Sequence, residues 1–283
     1  MIDTHVHPAL FSDICQDKDK FQLRCDEMGF HLMKPVDLEL LKKQYDLAKV
    51  EKVVLLPQDC SAECGTAVIS NEEIKLLVDL KPNYFIGFAS ADPRREDAAL
   101  TLEKAFKEYH LSGLKINTAK LKLYPNDVRL LPLYDLCVKY NKPVIFHSGL
   151  SWEPNTLTKY AHPLEFEEVA LKYPAMKICL AHFGWPWVTD TAMLLIKYEN
   201  VYANTAMMYM DSPEQFFEKV FKQDMGEYWL DHNFADKVMF GSNAPRFRPV
   251  RMRRGLESLN IKDKALTKIL KENAVRFLGL EES

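Results

Sequence analysis

Eight short apolar runs, each followed by a stretch with helical patterning, recur along the 283-residue chain, and this repetition constrains the fold more than any single motif. The runs fall at residues 1–6, 53–56, 84–88, 113–116, 144–146, 178–180, 201–203 and 238–240 and are rich in β-branched or aromatic residues. They are apolar at successive positions instead of alternating, as expected of parallel strands covered on both faces. Helices are predicted at 37–49, 71–80, 97–109, 131–140, 163–172, 189–198, 213–221 and 262–278. In the first of these, Leu38, Leu41, Tyr45 and Ala48 form one stripe, while Glu39, Lys42, Lys43 and Asp46 point away. Pro132, Pro163 and Pro213 sit near helix starts, where a missing N–H is harmless.

Strictly alternating strands and helices imply the α/β class. Eight units in under 300 residues favour closure into a (β/α)8 TIM barrel of one domain, residues 1–283, over an open doubly wound sheet. No GxGxxG or GxxxxGK loop follows a strand, which weakens a dinucleotide or P-loop site. Residues 8–35 read as an extended loop after strand 1, and residues 222–236 as a second insertion.

A net charge of -3 gives no electrostatic reason to expect nucleic acid. The one basic run, Arg246, Arg248, Arg251, Arg253 and Arg254, reads mainly as a solvated loop and helix face. The six cysteines read as reduced thiols. Cys60 and Cys64 have CxxxC spacing but no second pair, so they are taken as ordinary loop residues and not as a zinc knuckle. With no apolar stretch of about 18 residues and no leader-like start, a cytoplasmic protein without membrane contact is expected. The expected partner is a small-molecule substrate, and self-association into a homo-oligomer is left open.

In a parallel barrel the chemistry sits at the C-terminal strand ends. Here those ends carry His5 and His7, Gln58 and Asp59, Asp92, Lys115 and Asn117, His147, His182, Asn204 and Thr205, then Ser242 and Asn243. His5 and His7 are two residues apart on a strand, so both rings project from one face. A single histidine after a strand is more often a hydrogen-bonded core or loop residue. Four at matching strand-end places in three units point instead to a metal site, because neutral imidazoles suit zinc and related ions. His31, His110, His162 and His232 match no strand end and read as structural or surface residues.

The opening Asp3-Thr4-His5-Val6-His7, Phe146-His147, Ala181-His182-Phe183-Gly184, Phe240-Gly241-Ser242-Asn243 and the closing 273–280 segment resemble the amidohydrolase superfamily. More narrowly they resemble its amidohydrolase-2 branch, which includes aminocarboxymuconate-semialdehyde decarboxylase-like enzymes. The resemblance implies one divalent metal per chain, zinc with manganese as the alternative. His5, His7 and His147 would be ligands, and His182 would bind the metal or act in proton transfer. It also implies an aspartate where this chain has Asn243, placed in the ligand set and at the catalytic position. An amide has no carboxylate to act as base, so that role would pass to His182, Asp59 or Asp92.

Lys115 and Arg246 are candidate cations for a substrate carboxylate, and Trp185, with Trp152 and Trp187, a candidate aromatic lining. The structural alternative for Lys115 is an ion pair with Asp92 or Asp59. The expected activity is hydrolysis of a small carboxylated amide, ester or lactone by a metal-activated water. The alternative is non-oxidative decarboxylation of an unsaturated or aromatic acid. A second alternative is a barrel weakened by Asn243.

Overall fold

The computed structural model describes residues 1–30, 33–207 and 209–281, so His31 lies outside the described residues. The strands are β1 (Ile2–Val6), β2 (Lys52–Leu55), β3 (Phe85–Gly87), β4 (Leu114–Ile116), β5 (Val144–Phe146), β6 (Ile178–Leu180), β7 (Val201–Asn204) and β8 (Val238–Met239). All ladders are parallel and run in sequence order, β1-β2-β3 and β4-β5-β6-β7-β8. Two seams join these sheets into a ring. Ala89 N donates to Gly113 O and Lys115 N to Ala89 O, both at 2.7 Å, between β3 and β4. Thr4 N donates to Phe240 O and Asn243 N to His5 O, both at 3.0 Å, between β8 and β1. The result is the expected TIM barrel.

Alternation along the strands sorts the core into two layers. Val144 and Phe146 of β5, with Ile178 and Leu180 of β6, pack outward against the helices. Ile145 and Cys179 face inward with Ile2, Val54, Ile86 and Met239. Ala274 and Phe277 of the closing helix Asn273–Leu278 join that inner layer. Lys115, between outward Leu114 and Ile116, therefore takes an inward position.

The predicted helices appear with small shifts at their ends: Leu38–Leu47, Asn71–Leu80, Ala98–Lys107, Leu131–Lys139 and Val188–Lys197. Ser70 and Glu73 form a reciprocal capping box at the start of the second. Residues 213–221 continue as Pro213–Glu218 and a wider turn to Asp224, and the C-terminal segment is broken into three helical pieces.

One segment departs from expectation. The first insertion is not a plain loop: it contains the helix Lys18–Met28, capped by Asp17 and ended by Gly29 at φ +71°. The basic run forms the expected solvated face: Arg251 and Arg254 are exposed on the helix Pro249–Glu257, which buries Met252 and Leu256, while Arg253 donates to Ala48 O. Among the described residues no helix is long and apolar enough to cross a membrane.

Candidate metal centre at the barrel mouth

Backbone pairing carries the histidines to one rim. His5 is the penultimate residue of β1 and is fully buried, and His7, His147 and His182 are nearly so. The His5 ring centroid lies 5.0 Å from that of His7 and 4.9 Å from that of His182, while His147 and His182 stand 4.7 Å apart. The four rings predicted to converge thus form one cluster.

The β8 turn is fastened to β1 from below. Asp3 accepts from Ser242 N at 2.9 Å, Ser242 Oγ at 2.5 Å and His5 N at 3.2 Å. Burial pushes the Asp3 carboxyl up to about 6, against the pull of these donors. Gly241 allows the close approach, since a Cβ there would lie 3.0 Å from the Cβ atoms of both His5 and Ala206. Asn243 follows at φ +60°, a left-handed conformation that asparagine tolerates better than most residues. It lines the cavity with His7, His147, His182 and Arg246.

A hydrogen-bond network sets the ring orientations. Asn204 Oδ1 accepts from His182 N at 3.1 Å and Ala206 N at 3.3 Å, so its Nδ2 faces His5 Nδ1 at 3.3 Å. On that assignment the proton of neutral His5 sits on Nε2, shared with His7 Nε2 at 3.1 Å. His182 Nδ1 donates to Ala206 O, leaving its Nε2 lone pair to meet His147 Nδ1 at 3.0 Å. Burial, with repulsion from Lys115, holds His5 and His7 well below the usual histidine range and lowers His182 to about 3. His147 is lowered too, by burial and then by His182.

All four are therefore neutral, the form that ligates a cation. Among the described residues His147 Nε2 and His7 Nδ1 are buried with no hydrogen-bond partner, while the Nε2 atoms of His7 and His182 hold lone pairs occupied by a neighbour's proton. These neutral imidazole lone pairs fit a borderline divalent ion. As packed, no three of these nitrogens lie within 4.8 Å of one another among the described residues, so holding an ion would require the rings to turn away from their N–H···N contacts.

Around the rings the structure distributes the other candidates. Lys115 Nζ is buried without a hydrogen-bond partner among the described residues, and burial lowers its ammonium to about 8. Neither suggested ion pair forms: Asp92 is clasped by Arg94 at 2.7 Å, and Asp59 accepts from Ser61 N and Asp92 N. Asp59 and Asp92 also stand outside the histidine cavity, which disfavours both as substitute bases.

Arg246 reaches the cavity with its guanidinium 4.9 Å from the Phe30 ring centroid and Nη2 donating to Met28 O at 2.7 Å. Arg248 is exposed. Trp152 and Tyr209 line the cavity; Trp185 stands behind, stacked on Tyr209 at 4.4 Å.

Glu153 is the residue that sequence reasoning missed. It lines the same cavity, accepts from Gln58 Nε2 and Asn117 Nδ2 at 3.0 Å each, and burial raises its carboxyl above the usual range. It lies in a loop without periodicity, so nothing in the residue pattern marked it.

A model of the Amidohydrolase family (Amidohydro_2) matches residues 2–280. No curated protein matches the chain. Among solved structures it is similar to an uncharacterized TIM-barrel protein of Bordetella bronchiseptica, with TM-score 0.76 and 20% identity over 99% of this chain and 98% of that one. It also resembles 5-carboxyvanillate decarboxylase of Sphingomonas paucimobilis, with TM-score 0.65 and 14% identity over 99% of each chain. A third likeness is to a dihydroxybenzoic acid decarboxylase of Polaromonas with bound manganese, with TM-score 0.66 and 17% identity over 100% of this chain and 97% of that one. At these identities the structural likenesses establish the barrel alone. The family model spans almost the whole sequence, and the chain therefore belongs to the Amidohydro_2 family of amidohydrolases.

Proposed function

We propose that this chain is a metal-dependent enzyme acting on a small, planar carboxylic acid, and that non-oxidative decarboxylation is the reaction its cavity fits best. His7, His147 and His182, with His5 beneath and Asn243 beside them, would hold the ion. When bound, a divalent cation there supplies Lewis acidity, polarising an oxygen of the substrate. The observation that carries the reading is the pairing of a fixed guanidinium, Arg246, with a protonatable carboxyl, Glu153, in one cavity whose strand-eight position is an amide.

Arg246 matches a carboxylate in charge and fork geometry. The Tyr209 ring, backed by Trp185, offers a flat wall to a planar substrate. Glu153, whose carboxyl burial raises above the usual range, stands in the cavity where its protonated form would deliver a proton to carbon as CO2 leaves. Hydrolysis is the second reading, and Glu153 also supports it, since the ionised carboxylate would be a base within the cavity.

The test is a panel of hydroxybenzoates and unsaturated acids beside esters, lactones and amides, assayed with protein reconstituted with Zn2+ or Mn2+. Carbon dioxide release dependent on both metal and Arg246 is the expected result. Turnover confined to esters, lactones or amides would replace decarboxylation with hydrolysis, and no turnover on either half of the panel counts against both.

A further inference from the structure

A second set of donors gathers beside the rim. The helix Lys18–Met28 brings Glu27 over the turn that carries Cys60 and Cys64, and ligand atoms of all three lie within 4.8 Å of one another. The two Sγ atoms are 3.2 Å apart, with Cys60 buried and Cys64 partly so. Lys120 meets the Glu27 carboxylate as an ion pair and donates to Pro154 O at 2.8 Å. The ion pair is made to Glu27 Oε2.

We propose that Cys60, Cys64 and Glu27 form a binding site for a thiophilic divalent cation such as Zn2+, separate from the histidine rim. Spacing supports this first. Bonds of about 2.0–2.3 Å around a tetrahedral ion place neighbouring ligand atoms roughly 3.3–3.8 Å apart, within a small side-chain adjustment of the observed cluster.

Charge supports it next. Two thiolates and a carboxylate around a divalent ion leave one net negative charge, and the Lys120 ammonium neutralises it. Without the ion, protonated thiols and the Glu27–Lys120 pair are neutral as well. Loading thus exchanges two protons for one cation without leaving a buried net charge.

The alternative use of two adjacent cysteines, thiol–disulfide exchange, requires an accessible thiolate. Burial first, and then the bond to Cys64, push the Cys60 thiol far up, which opposes thiolate formation unless a cation sits against the sulfur. Lys120 also ties the cluster to the Pro154 carbonyl, next to Glu153, so a filled site would brace the loop that lines the cavity.

The test is titration of chelator-treated, thiol-reduced full-length protein with Co2+, reading the thiolate-to-metal charge-transfer absorption. The histidine and asparagine rim has no sulfur and cannot produce this band, so the result is independent of the function proposed above. The expected result is a saturable band with release of two protons per ion bound at this site. Cys64→Ser should abolish it, Glu27→Gln should weaken the apparent Kd by about tenfold or more, and His147→Ala should leave it in place. Circular dichroism checks the fold, and Glu27→Gln keeps the test decisive if Cys64→Ser does not fold. Absence of the band at saturating Co2+ overturns the proposal, as does a band that survives Cys64→Ser in a folded protein or whose apparent Kd is unchanged in Glu27→Gln.

Discussion

The histidine rim and the Glu27–Cys60–Cys64 cluster occupy the same end of the barrel, but they are held in opposite ways. The rim hangs on strands. His5, His147 and His182 sit at or just past strand ends whose positions are fixed by the ladders of the barrel, and Asn204 and Asp3 tie neighbouring units together. The cluster hangs on insertions: Glu27 belongs to a helix outside the eight-fold repeat, and both cysteines lie in a single turn after β2. Strand-borne donors inherit rigidity from the core. Insertion-borne donors depend on a few side-chain anchors, and those anchors are where the two regions can be separated by mutation.

The largest effect is expected at Arg24. This fully buried arginine donates from Nε to Val68 O at 3.0 Å and from Nη1 to Ile14 O, and it pairs with Glu73, fastening the insertion helix to the barrel. Arg24→Ala leaves two carbonyls without this donor and Glu73 with Lys20 as its remaining cation, so the unfolding free energy should fall by about 3 kcal/mol. Denaturant melts give that number. Divalent-ion binding at the rim should weaken far less than Co2+ binding by thiolate; a variant with both bindings intact and a loss below about 1 kcal/mol would show that the helix is held by other contacts.

Next in size is His147→Ala. Removing the unpartnered Nε2 lone pair should lower turnover and rim affinity by more than about 100-fold, beyond what loss of an outer partner costs. The melting temperature should change little. A fall in stability with turnover preserved would make His147 a packing residue.

Glu153→Gln should reduce turnover by about 100-fold, and its pH profile separates the two readings of the cavity. Because burial raises this carboxyl, Glu153 remains protonated to higher pH than an ordinary glutamate. As a proton donor it would give a rate that falls as pH rises through its elevated pKa. As a base it would give a rate that rises over the same interval. In either case the limb should vanish in Glu153→Gln, and a limb that persists assigns it to another group.

The same contrast explains what was legible in the sequence. The barrel could be read because strand residues on both faces are apolar, and the helix Asn71–Leu80 because its cap and stripe are both explicit. The rim could be read because strand ends are countable from those runs. Lys18–Met28 could not, since its buried side is Arg24, Cys25 and Met28: a charged side chain occupies the place where an apolar stripe is sought. With that helix hidden, Cys60 and Cys64 lacked a third donor and looked like loop residues. Glu153 and Tyr209 lie in irregular segments whose approach to the cavity is set by tertiary contacts, including Tyr209 Oη to Leu150 O at 3.1 Å. Trp185 carried a signal as an aromatic near the rim, but the pattern could not show that Tyr209 stands in front of it.

The smallest effect is expected from Asn243→Asp, which tests how far the rim depends on charge. The backbone at this position is constrained: Asn243 N donates to His5 O at 3.0 Å, and its carbonyl accepts from Arg246 N at 3.0 Å, all at φ +60°. Aspartate tolerates that conformation nearly as well as asparagine, so the exchange alters charge with little change in fold. A carboxylate beside four neutral imidazoles and the buried Lys115 ammonium should tighten divalent-ion binding by about tenfold, a differential interaction of about 1.4 kcal/mol. If asparagine is compatible with the natural reaction, the Asp variant should bind metal more tightly while turnover changes by a similar factor or less. If asparagine disables the enzyme, turnover should rise from near background by orders of magnitude. Isothermal titration and a pH–rate profile on both forms distinguish these outcomes. An Asp variant that matches the parent in metal affinity, turnover and pH profile would place residue 243 outside the reaction centre, leaving the histidines to act without a strand-eight partner.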